Sequence, residues 1–172
     1  HHGRATLLQI TPKSRSDVPH YLEMQREVAE LAGRVNGELA TLEWTPIRYV
    51  NSSIGHAILA GLYRLARVGL VTPMRDGMNL VAKEYVAAQR PEDPGVLVLS
   101  RFAGAAREMD GAILVNPYDM EAVSQAIAQA LAMPLEARRE RFDGMIARLE
   151  RNDIAAWCSA FLAALGETNA RQ

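Results

Sequence analysis

An open parallel α/β sheet is the fold the sequence predicts, on three observations. Short apolar runs alternate with longer amphipathic stretches. The short runs are continuously aliphatic rather than alternating with polar residues. After the fifth run the strands stop, and three helical stretches follow. Continuous aliphatic runs suit strands buried on both faces of a parallel sheet. Strand–helix alternation implies right-handed crossovers between parallel neighbours. Ligands in such sheets bind beyond the carboxyl ends of the strands.

The first strand is expected over Ala5-Thr6-Leu7-Leu8-Gln9-Ile10. A helix follows from Pro19 to about Glu38, with Leu22, Val28, Leu31 and Val35 near one face; Asp17 can cap its start, and Pro19 is tolerated in the first turn. Pro46-Ile47-Arg48-Tyr49-Val50 reads as the second strand, and Ile58, Leu59, Leu62, Tyr63 and Leu65 mark the second helix. The third strand is Val68-Gly69-Leu70-Val71-Thr72, followed by a helix that carries Leu80, Val81 and Tyr85 and stops before Pro91. Val96-Leu97-Val98-Leu99 and Ala112-Ile113-Leu114-Val115 are the fourth and fifth strands, with a short helix over 103–109 between them. Asp119 to Leu131, Leu135 to Arg151 and Ile154 to Leu165 read as the three closing helices, separated by Pro134 and the Arg151-Asn152-Asp153 corner.

Composition narrows the function classes. The chain has 172 residues, 49% hydrophobic and 23% charged, which is ordinary for one globular domain. Nineteen Lys and Arg against twenty Asp and Glu give a net charge of −1, so no basic footprint for nucleic acid exists. No apolar run approaches the ~20 residues of a membrane span. Cys158 is the single cysteine, so no intrachain disulfide forms; that favours a reducing compartment, and a cytoplasmic location is expected. The opening His1-His2-Gly3 reads as a tag remnant or as the interior of a longer chain.

The loop after Thr72 carries the most chemistry: Pro73-Met74-Arg75-Asp76-Gly77-Met78-Asn79, then the helix from Leu80. Gly77 permits a sharp turn or a close ligand approach. Asn79 is a good N-cap, and the following amides of Leu80, Val81 and Ala82 lack intrahelical partners. Those amides and the helix dipole favour a phosphate. Glu84 shares the face of Leu80 at i+4, where a carboxylate can accept from vicinal hydroxyls such as a ribose offers. Asp76 can accept from a hydroxyl nearer a reacting centre. A capped helix with solvated Asp76 and Glu84 accounts for the same spacing equally well.

A resemblance favours the first of these. The run from Gly69 to Tyr85 resembles the signature of the trehalose-6-phosphate synthase family, as do Ser14-Arg15-Ser16-Asp17-Val18, Gly33-Arg34-Val35-Asn36-Gly37, Trp44-Thr45-Pro46 and Val98-Leu99-Ser100-Arg101-Phe102-Ala103-Gly104-Ala105. The motifs stand in family order from about Leu7 to Leu165. The resemblance implies a Rossmann-like, nucleotide-sugar-binding domain over residues 1–165, the carboxyl-terminal half of a two-domain GT-B fold, with residues 166–172 as a tail. It implies retaining transfer of glucose from UDP-glucose to glucose 6-phosphate, giving α,α-trehalose 6-phosphate, with no metal and no cofactor. The chain also contains no Asp-x-Asp metal clamp.

Roles carry over residue by residue. Asp76 matches the acidic residue on the donor glucose, with the amides of Gly77, Met78 and Asn79 beside that sugar. Leu80, Val81, Ala82, Lys83 and Glu84 match the donor-binding helix start, the amides on the diphosphate and Glu84 on the ribose. Ile54 matches the backbone contact to the uracil, where an aromatic side chain is the family expectation. Arg15 matches the arginine on the phosphate of glucose 6-phosphate, a dianion suited to a guanidinium fork. The partners implied are the two substrates and an amino-terminal domain that this sequence does not contain. The first strand–helix unit of the donor domain, with its arginine and lysine on the diphosphate, is also absent. An uncovered strand edge and apolar helix faces point to self-association.

The other candidates are weaker. Trp157 and Cys158 lie with Ile154, Phe161 and Leu165 on an apolar stripe that reads as core or interface. His56 has no Asp or Ser at useful spacing, and His20 reads as a solvated first-turn residue. A noncatalytic module that binds a partner subunit or a sugar phosphate remains the alternative. No Gly-x-Gly-x-x-Gly follows a strand, which speaks against a dinucleotide-binding domain.

Overall fold

Every expected strand and helix forms. The computed structural model of the chain describes residues 2–12 and 19–169. In order they give β1 (Leu7–Ile10), α1 (Pro19–Leu39), β2 (Ile47–Val50), α2 (His56–Leu65), β3 (Val68–Val71), α3 (Leu80–Ala88), β4 (Val96–Ser100), a 3-10 turn (Gly104–Arg107), β5 (Ile113–Val115), α4 (Met120–Ala132), α5 (Leu135–Arg151) and α6 (Ile154–Asn169). All strand pairs are parallel, but they form two sheets, β1-β2 and β3-β4-β5, not one hydrogen-bonded sheet. The contacts likewise divide the chain into two units, His1–His56 and Ala57–Gln172.

In the first unit β1 pairs with β2 from Leu7↔Ile47 to Ile10↔Val50. Asn36 of α1 ties that helix to β2: its Nδ2 donates to the Ile47 carbonyl at 2.9 Å, and its Oδ1 accepts from the Ile47 amide at 3.0 Å. The Trp44 indole donates to the Ala5 carbonyl at 3.0 Å. Burial here departs from the expectation, since Leu7 and Leu8 of β1 stay 43% and 38% exposed. A parallel strand is buried on both faces only when helices cover both. This unit has a single described helix, α1.

The second unit fulfils that expectation. All five residues of β4 are buried, and they divide by period two between the faces of the sheet. Leu97 and Leu99 join Val71, Tyr85, Val86, Met109, Phe142 and Met145, so α3 and α5 lie on that side. Val96 and Val98 join Val115, Ala126 and Ala130 of α4 on the other. Gly69 of β3 is required by space: a Cβ there would come within 2.7 Å of the Tyr85 ring. Along α6, Ile154, Trp157, Phe161, Leu162 and Leu165 are all exposed, with Trp157 stacked on Phe161 at 5.3 Å. The stripe carrying Cys158 is therefore not core, and that thiol is free and exposed. No helix among the described residues is long and apolar enough to cross a membrane.

Candidate functional site

The carboxyl ends of β3, β4 and β5 share one sheet edge, and the loops after β3 and β4 are bonded to each other. Backbone pairing continues past the strands as an isolated parallel bridge between Asp76 and Ala103. The Asp76 amide donates to the Phe102 carbonyl at 3.2 Å. The Gly104 amide donates to the Asp76 carbonyl at 2.9 Å, and the Ala105 amide to the Met78 carbonyl at 2.7 Å. The loops come this close because residue 104 is glycine; a Cβ there would overlap the Gly77 carbonyl. At Gly77 itself a Cβ would meet nothing within 4 Å, so that side of its backbone is open space.

The Asp76 carboxylate is half-buried and held at both oxygens. Oδ1 accepts from the Met78 amide at 3.0 Å, and Oδ2 accepts from Asn79 Nδ2 at 3.0 Å. A carboxylate has about four acceptor positions, so each oxygen keeps room for one hydroxyl. Asn79 is the expected N-cap of α3, its Oδ1 accepting from the Ala82 amide at 3.0 Å. It takes a left-handed backbone, with φ 72 and ψ 86, the only positive φ outside glycine among the described residues.

These bonds sort the amides. The Met78 amide serves Asp76 and the Ala82 amide serves the cap. Among the described residues no partner takes the amides of Gly77, Asn79, Leu80 and Val81. The last two open α3, where the dipole adds to their attraction for an anion. Glu84 stands one turn along, half-buried and without a hydrogen bond or ion pair. Its charge acts on Tyr63, whose phenol is pushed above its ordinary value first by burial and then by Glu84.

Lys83 goes elsewhere. Its ammonium meets both oxygens of Glu108, at 2.9 and 3.1 Å, in a part-buried ion pair. That pair ties α3 to the segment after the 3-10 turn. Ile54 follows β2 and belongs to the first unit, whereas residues 76–84 all belong to the second. Arg15 lies outside the described residues. The sequence reading missed Glu108, whose partner is 25 positions away, and the spatial demand at Gly104. It also missed an exposed aromatic pair at the same edge, Phe102 after β4 and Tyr118 after β5, with ring centres 6.1 Å apart. No three His, Cys, Asp or Glu side chains cluster to hold a metal among the described residues.

The sequence model of glycosyltransferase family 20 matches residues 1–167. The chain belongs to glycosyltransferase family 20. Among its family 20 relatives, the trehalose-6-phosphate synthase of Sinorhizobium fredii (strain NGR234) is 66% identical over 160 residues, which are 93% of this chain and 34% of the relative. A crystal structure of an α,α-trehalose-phosphate synthase (UDP-forming) from Burkholderia xenovorans, in complex with glucose-6-phosphate, superposes with a TM-score of 0.90 at 50% identity. The match covers 92% of this chain and 35% of that one. A structure of the Escherichia coli protein bound with UDP-2-fluoro glucose gives a TM-score of 0.93 at 48% identity, over 96% of this chain and 37% of that one. This family 20 chain thus spans about a third of the length of the curated relatives it matches.

Proposed function

We propose that the chain is the donor-binding part of a retaining glycosyltransferase that moves glucose from UDP-glucose to glucose 6-phosphate, forming α,α-trehalose 6-phosphate. The observation that carries this reading is the grouping at the start of α3. A carboxylate fixed at both oxygens, Asp76, stands beside two unpartnered helix-start amides, Leu80 and Val81, with the unpaired Glu84 one turn on. A nucleotide sugar offers matching groups in matching order: sugar hydroxyls, a diphosphate, then a ribose.

In this reading Asp76 accepts from hydroxyls of the donor glucose, with the Gly77 and Asn79 amides beside it. The Leu80 and Val81 amides take the diphosphate, and Glu84 takes the ribose. Ile54 offers backbone to the uracil, and Arg15 grips the phosphate of glucose 6-phosphate. Bond making and breaking occur on one face of the sugar: the acceptor hydroxyl enters where the diphosphate leaves, through an oxocarbenium-like state. The protein contributes positioning and stabilises charge on the leaving phosphate. Asp76 is not a nucleophile in this scheme. The reaction calls for no metal or cofactor beyond the two substrates, and a cytoplasmic setting suits the exposed free Cys158.

The test replaces the matching segment of the full-length Sinorhizobium fredii relative with this chain. The graft, given UDP-glucose and glucose 6-phosphate, should release UDP and form the disaccharide phosphate. The 172-residue chain alone should not. A graft that binds neither substrate would favour a noncatalytic module instead.

A further inference from the structure

Asn79 makes two side-chain bonds that point in opposite directions along the chain. Its Oδ1 takes the Ala82 amide, and its Nδ2 gives a hydrogen to Asp76 Oδ2, each at 3.0 Å. The orientation of the amide is fixed by chemistry, because an N–H donor at Ala82 must face the oxygen and a carboxylate must face the nitrogen. The left-handed backbone at residue 79 brings both partners within reach of one short side chain. Asp76 is thereby held by Met78 on one oxygen and by Asn79 on the other, while its backbone is pinned to Phe102 and Gly104.

We propose that Asn79 is a positioning residue for the donor sugar, acting through Asp76: its side-chain amide orients the carboxylate that accepts from the glucose hydroxyls. The inference rests on the donor reading above and adds to it a side-chain function distinct from capping. Capping needs only an oxygen at residue 79, and orienting Asp76 needs the N–H. A rotating carboxylate would bind a hydroxyl in many arrangements, and a fixed one favours the arrangement from which transfer proceeds.

Asn79→Gly separates the two functions. Glycine stands in as a helix cap at little cost and takes the left-handed backbone freely, but it offers no side-chain N–H to Asp76 and adds no charge beside that carboxylate or the open amides. In the graft described above, this variant should melt close to the parent and bind UDP, which lacks the sugar, with unchanged affinity. Its kcat/KM for UDP-glucose should fall by about tenfold or more, the worth of one hydrogen bond to a charged group. In an Asp76→Ala background the same change should cost nothing further, since residues acting through one another are non-additive. Parental turnover by Asn79→Gly, or an equal loss in both backgrounds, overturns the inference. An inactive unsubstituted graft counts against the donor reading, and the contact is then decided on the 172-residue chain itself. The side-chain amide resonance of Asn79 should shift on Asp76→Ala, and a resonance that stays in place overturns the proposal.

Discussion

The carbonyl of Gly77 occupies the place where residue 104 would carry a Cβ. Gly104→Ala must therefore push the loop after β4 away from the loop that bears Asp76. Overpacking of this kind costs ~1–3 kcal/mol. We expect a lowered melting temperature and, in the graft, a loss of donor affinity larger than the loss of stability alone would cause. Calorimetric titration with UDP-glucose beside thermal melts reads both; unchanged affinity would show that the two loops do not need each other.

Lys83 meets Glu108 and not the open amides. Lys83→Met should leave UDP affinity within about twofold of the parent while lowering stability by ~0.5–1 kcal/mol, the scale of a part-exposed ion pair. A severe loss of UDP binding at parental stability would return Lys83 to the diphosphate.

Glu84 has no partner of its own. Glu84→Gln keeps the shape and removes the charge. In the graft it should weaken donor use by ~1.5–3 kcal/mol, the worth of hydrogen bonds to a charged group. Parental KM and kcat/KM for UDP-glucose would take Glu84 out of the site.

Asp93 lies between two guanidiniums, 2.7 Å from Arg138 and 3.1 Å from Arg67. The hydrogen bond from Arg138, then that from Arg67, holds its carboxyl below the ordinary 3.8. A lowered native value contributes stability above the unfolded value, and acid removes it as the pH falls through 3.8 and then through the native value. Asp93→Asn should therefore melt below the parent at neutral pH, with the gap closing in acid below that window. A gap that persists there would mean that the charge of Asp93 is not what Arg138 and Arg67 use.

The elements were legible because their signals are local. Val96 to Leu99 is a strand by its aliphatic run alone, and Asn79 before an apolar periodic stretch announces a helix start. Burial was legible only where the chain itself supplies both covering layers, as at β4; Leu7 and Leu8 carry the same apolar pattern without that cover. At the site, residue types and spacing marked Asp76, Asn79 and Glu84. The allocation of each hydrogen bond was not legible. Whether Lys83 faces a ligand or Glu108 depends on a residue 25 positions away, and no periodicity reports that separation. The need for glycine at 104 is a fact about Gly77, again outside any local window.

The bridge between Asp76 and Ala103 has a consequence for anyone redesigning the loops of this sheet edge. Loops at a sheet edge are commonly exchanged one at a time, as if each were an independent module. Here three backbone bonds and one Cβ-free contact make the loops after β3 and β4 a single mechanical part. A transplanted Asp76 loop arrives without its counterpart at residues 102–105, and an insertion in either loop breaks the register of the other. The smallest transferable unit is the pair, cut where β3 and β4 end, where α3 begins and where the 3-10 turn ends.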